Sequence, residues 1–193
     1  RIWQATFSVE GGQRAGAAGE GLMLSRTQPR PDHAPKLSLS EIQNPIIDAY
    51  LAALPAGQAP RILGSRTLLV ADRREDALRW AETGLRRLAV RHAHASAGPF
   101  PRVDPQAPLE RLIEAYDVHL GTPDEVIASL QADTALARTT DLVFQVHSID
   151  PPHAAILRSL ELTARIVAPA LGWSGAAGAA AAPAGTEREL QAA

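Results

Sequence analysis

The 193-residue chain is long enough for one domain with a sizeable core, and its 46% hydrophobic and 21% charged residues are ordinary for a globular protein. A net charge of -2, with Lys36 the single lysine and the arginines scattered among acids, argues against nucleic acid as a partner. The lack of cysteine excludes disulfides, thiolate nucleophiles and Cys-ligated metals, while no apolar run approaches the ~20 residues of a membrane span and no signal peptide opens the chain. A cytoplasmic setting is expected.

The chain begins at Arg1, without Met, inside what reads as a strand over Ile2 to Thr6. A parallel strand needs neighbours on both sides, so this start is expected to mark a fragment. The turn that follows, Thr6-Phe7-Ser8-Val9-Glu10-Gly11-Gly12, offers hydroxyls, approachable backbone and a helix start in one place, which suits an anion such as a phosphate. Ser8 also reads as a plain N-cap for the Ala- and Gly-rich helix behind it. Gly19 and Gly21 close that helix, and a second strand follows through Leu22 to Ser25. Thr27 to Lys36, with three prolines, is a loop.

The next helix is expected to start at Asn44 as N-cap with Pro45 in its first position, burying Ile46, Ile47 and Tyr50. Ile62 to Val70, ILGSRTLLV, reads as a strand with Ser65, Arg66 and Thr67 in its middle. Asp72 and Glu75 then suggest a capping box for a long helix from Arg73 to about His92, with Ala77, Leu78, Ala81, Leu85, Leu88 and Ala89 on its apolar face. Residues 95–108 hold four prolines and read as an irregular insertion, followed by a short helix from Leu109 to Tyr116. Thr122, Pro123 and Glu125 announce another helix with Val126, Ile127 and Leu130 facing inward. A last strand, Leu142 to Val146, ends at His147, and Asp150 caps a closing helix. Residues 1–173 form one unit on this reading, and the small, apolar-poor tail 174–193 is expected to be disordered.

The order β-α-β-α-β-α-(short helices)-β-α implies a parallel sheet with right-handed crossovers, and four such units are half of an eight-stranded barrel. No G-x-G-x-x-G dinucleotide fingerprint, G-x-S-x-G nucleophile elbow or H-E-x-x-H metal motif is present. His92 and His94 read as dipole partners at a helix C-terminus. His147, at a strand end, reads either as functional or as a structural histidine near Asp150.

Three stretches together resemble one family. QATFSVEGGQRAGAAGEGLMLSR looks like its fifth strand, phosphate-contacting turn, helix and sixth strand; ILGSRTLLVADRREDALRWAETGL is similar to its seventh strand and following helix; HLGTPDEVIASL, DLVFQV and HAAILRSLELTARIVAPAL resemble its run into the eighth strand and closing helix. The family is that of the luciferase-like flavin-dependent monooxygenases. The resemblance implies an α/β fold comprising the C-terminal half, about strands 5 to 8, of a (β/α)8 TIM barrel. It also implies a monooxygenase chemistry in which reduced FMN, supplied by a separate flavin reductase, and O2 act on a small organic substrate, and a homodimer when the protein is complete.

By the same resemblance the FMN phosphate falls on Phe7, Ser8 and Gly11 with Thr6 adjacent, and Ser25 and Arg26 stand at the same barrel mouth. Trp3 and Phe7 are placed at the flavin ring or, for Trp3, in the core, and Arg26 reads equally as a salt-bridge partner. Two alternatives remain open: a deazaflavin-dependent oxidoreductase of the same superfamily, and a non-catalytic half barrel that serves as an assembly or binding module. Uncovered sheet edges in a half barrel predict dimerisation or aggregation.

Overall fold

The computed structural model describes residues 2–31, 33–93 and 102–173. The expected disorder of 174–193, His94 and the first part of the insertion lie outside these residues.

Five strands, β1 (Trp3–Ala5), β2 (Gly21–Leu24), β3 (Ile62–Val70), β4 (Val118–Gly121) and β5 (Asp141–Gln145), form one sheet in which every pairing is parallel. β1 pairs with β2 and β2 with β3. The long β3 carries two further partners, Leu63–Thr67 against Asp141–Gln145 and Thr67–Val70 against Val118–Gly121. Parallel neighbours require crossovers. These are α1 (Val9–Ala17), α2 (Leu39–Ala53), α3 (Arg74–Ala93) with α4 (Leu109–Ala115), and α5 (Pro123–Ala132). The described chain closes with α6 (His153–Leu162), a π turn over Thr163–Val167 and α7 (Ala168–Ala170).

The two faces of the sheet differ in what covers them. Alternation along β3 sends Ile62, Leu68 and Val70 one way, into cores built with Ala15 of α1, Ile46, Ile47 and Tyr50 of α2, Val126 and Leu130 of α5, and Leu162 of α6. Leu69, of opposite parity, packs under α3 with Ala77, Ala81 and Leu85. The register places Trp3 and Ala5 of β1, Met23 of β2, Leu63 and Ser65 of β3, and Val143 and Gln145 of β5 on this second face. None of these seven is fully buried, although Gly21 beneath Trp3 and Thr67 on the same face are, so the second face is open at these seven positions.

Four sequence expectations change. The sheet has a fifth strand, β4, in the stretch read only as a lead into α5, formed by pairing with the far end of β3. α2 begins at Leu39, because Ser38 accepts from the Glu41 N–H and Glu41 returns a bond to the Ser38 N–H; Asn44 is helical and Pro45 lies inside the helix. Asp72 does not cap α3, since both its carboxylate oxygens are taken by Arg158 of α6 at 2.7 and 2.9 Å. Asp150 sits in the left-handed region at φ 56° with its carboxylate on Arg87, and α6 starts after Pro152. The other helix starts stand as expected, with Thr122 N–H donating to Glu125 Oε2 at 2.9 Å at the head of α5.

Candidate functional site

The exit of β1 is a tight knot of side chain on backbone. Thr6 Oγ1 accepts from the Ser8 N–H at 3.2 Å, and Ser8 Oγ accepts from the Gly11 N–H at 3.1 Å, closing the first turn of α1. A Cβ at Gly11 would collide with Thr6 Oγ1, so position 11 has room for glycine alone. Thr6, Ser8 and Gly11, singled out from the sequence, are thus in direct mutual contact. Phe7 is 52% exposed, and its carbonyl accepts from Gln28 Nε2 at 3.4 Å.

The amides of Val9 and Glu10 have no partner inside the helix, as at any N-terminus, and together with the Ser8 hydroxyl they make a patch of donors. Glu10 draws on this patch itself: a backbone N–H and the Ser8 hydroxyl hold its carboxyl below the usual range. An incoming anion would take the place of that carboxylate. The Trp3 ring packs directly on Gly21 of β2, with the Arg61 guanidinium 5.0 Å from its ring centre.

Ser25 and Arg26 form a second group at the exit of β2. Ser25 Oγ and Thr27 Oγ1 share a 2.9 Å bond, and the Arg26 N–H donates to Ser65 Oγ at 2.9 Å. The Arg26 side chain crosses β3 to reach β5, with Nε donating to Gln145 Oε1 at 2.6 Å and Nη1 to Thr67 Oγ1 at 3.3 Å. It is therefore aimed away from the Ser8 turn. Burial lowers its pKa. Beyond it opens a cleft of about 390 Å3 between α3 and the β5 exit, bounded by Arg26, Arg87, Arg91, His92, His147 and Ser148. His147 is exposed at the rim of this cleft, at the start of the 3-10 turn His147–Ile149.

On the covered face, sequence reasoning missed a buried charge pair. Arg66 is fully buried and makes two bonds to Asp133, Nε to Oδ2 at 2.7 Å and Nη2 to Oδ1 at 3.2 Å. Asp133 also accepts from Ser40 Oγ and from the Ala135 and Leu136 amides. His119 Nε2 stands 3.6 Å from Asp133 Oδ2, while His119 Nδ1 meets Ser129 Oγ at 2.8 Å. Burial opposes ionisation of Asp133, but His119 and Arg66 facing it hold its carboxyl far below the usual range. The signal was the arginine in the middle of the otherwise apolar β3. Among the described residues, no group of three or more His, Asp or Glu is placed to hold a metal ion, and no helix is long and apolar enough to cross a membrane.

No family model matches the sequence, and neither does any curated protein. Solved structures do match its fold. The monooxygenase RslO1 from Streptomyces bottropensis superposes with a TM-score of 0.61 at 24% identity, over 89% of this chain and 48% of its own. The oxygenating constituent of 3,6-diketocamphane monooxygenase from Pseudomonas putida, a type II Baeyer-Villiger monooxygenase solved with FMN, gives 0.54 at 21%, over 87% and 48%. MsnO8, solved in its apo form, gives 0.53 at 18%, over 89% and 51%. The chain thus shares the fold of the luciferase-like flavin monooxygenases and spans about half the length of the structures it matches. That likeness agrees with the resemblance read from the sequence.

Proposed function

We propose that the chain is the C-terminal half, about strands 5 to 8 (here β1, β2, β3 and β5, with β4 an addition), of a luciferase-like barrel whose complete form is an FMN-dependent monooxygenase. The observation that carries this reading is the contact of Thr6, Ser8 and Gly11 at the exit of β1, a donor patch at the strand end where barrel enzymes gather their ligand contacts. The donor set suits a phosphate once the Glu10 carboxylate gives way: the Ser8 hydroxyl and the amides at the N-terminus of a helix. Thr6, Phe7, Ser8 and Gly11 would hold the phosphate of FMN, and Ser25 and Arg26 would line the mouth beside it. When bound, the flavin in its reduced form supplies the oxygen-activating chemistry. The part of this chain is to bind the phosphate, to orient the cofactor against the sheet and to keep water from the mouth with α3 and α4.

Reliance on a separate flavin reductase follows from the same reading, as do a small organic substrate and a homodimer. FMN titration followed by flavin fluorescence tests it. Binding is expected, and Ser8→Asp should abolish it while the helix stays intact, because Asp is itself a good N-cap whose charge repels phosphate. Failure of the barrel in its complete form to bind FMN would overturn the proposal. Whether FMN or a deazaflavin copurifies with that complete form separates the monooxygenase from the hydride-transfer alternative.

A further inference from the structure

We propose that the cleft between α3 and the β5 exit binds the carboxylate of an organic ligand; its role as a substrate site rests on the flavin reading above. Three guanidinium groups, Arg26, Arg87 and Arg91, face it against a single carboxylate, that of Asp150, which sits on Arg87. A second cleft, of about 290 Å3 beside Arg30, is also rich in cations, with Lys36, Arg102 and Arg111 against Asp104 and Glu114, but there Arg30 is paired with Asp117 and Arg111 with Glu114. In the α3 cleft the guanidinium groups thus outnumber the carboxylate three to one.

Its geometry is built in advance. Arg26 is fixed by Gln145 and Thr67, and Ser148 Oγ donates to that same Thr67 hydroxyl at 3.3 Å. Gly84 lets α3 lie directly on the Ile149 carbonyl, since a Cβ there would collide with it. This close approach aims Arg87 and Arg91, one helical turn apart, at the same opening. Leu88 adds apolar wall, and the volume is that of a small organic molecule. His92, beside Arg91 and hydrogen-bonded to the Tyr116 hydroxyl at 3.3 Å, is pushed toward its neutral form by burial and by Arg91.

The ligand is distinct from the flavin phosphate on grounds of distance. Across the sheet the β1 exit is three strands from β5, about 14 Å at the usual spacing. A planar guanidinium fork matches a carboxylate through two parallel bonds, so charge and shape both favour the carboxylate over its neutral amide.

Calorimetric titration of the chain with benzoate, benzamide and inorganic phosphate tests this, alongside FMN titration. Benzoate should bind at least about tenfold tighter than benzamide and than phosphate, and Arg91→Gln should cost benzoate about tenfold while Arg91→Lys restores part of it. FMN binding should survive Arg91→Gln and be lost in Ser8→Asp. Equal binding of benzoate and benzamide, binding of neither, phosphate preferred to benzoate, or benzoate affinity indifferent to Arg91→Gln each overturns the proposal. So does loss of FMN binding in Arg91→Gln, which would make the cleft the flavin's own phosphate site. If the chain takes up benzoate through Arg91 while the barrel in its complete form binds no FMN, the flavin reading falls and the carboxylate site stands.

Discussion

Arg66 shows what a single residue can impose on this fold. A guanidinium buried in the middle of β3 is sustained only because Asp133 meets it with two bonds, and Asp133 in turn is satisfied by Ser40 and two amides. Asp133→Asn would leave the charge of Arg66 without its counter-charge, and a loss of about 3–5 kcal/mol is expected in urea unfolding. The pH dependence has a definite sign. Because the Asp133 carboxyl lies below its unfolded value of about 3.9, its contribution is complete above that pH and is lost progressively as pH falls below it. Unfolding curves taken from pH 5 down to pH 3 should show the unsubstituted chain losing stability more steeply than Asp133→Asn.

At the scale of elements, α1 and α2 pack with their backbones nearly touching. A Cβ at Gly12 would stand 2.6 Å from the Ile46 carbonyl oxygen, and one at Gly16 would collide with the Tyr50 carbonyl oxygen. Gly16→Ala must push α2 away from α1 and should cost about 1–3 kcal/mol, against the small gain an alanine brings to an isolated helix. A chemical denaturation midpoint that rises in Gly16→Ala would contradict this packing.

The same pair of helices shows how far the sequence could be read. The close approach of α1 to α2 was not read from its glycines, and the fold supplies α2 as the neighbour at Gly12 and Gly16. Ser8 and the glycine closure of α1 were legible because capping is local chemistry, and β3 was legible to the residue because nine apolar-rich positions form a long signal. The start of α2 was misplaced because Asn44-Pro45 imitates a helix start, while the true Ser38–Glu41 box lay six residues earlier. β4 and the partners of Arg26, Arg66 and Asp72 were beyond reach for another reason: each is set by a segment 39 or more residues away, which no local pattern encodes.

Taken whole, the molecule has sheet edges and a sheet face that its described residues leave uncovered. β1 pairs only with β2, and β5 only with β3. Val143, on the open face of β5, is 44% exposed, and Phe7 and Ile2 add apolar surface near the opposite edge. Such edges template further pairing, so sedimentation velocity should show concentration-dependent association. Val143→Lys should shift the distribution toward monomer; a monomer over the whole concentration range would count against the open face as an interface.

That two partners divide β3 between them has a consequence for how the chain acquires order. β2, β4 and β5 all align on this one strand, with β5 arriving some 78 positions later in the chain. Loop closure over such separations is slow relative to local helix formation, so α1 and α3 can form long before the sheet is complete. The amides around Leu63 and Gly64, paired with β2 from earlier in the chain and with β5 from later in it, should then be the last to exchange with deuterium. Those of β1 should be among the first, and a native-state exchange map would show protection fading outward from β3.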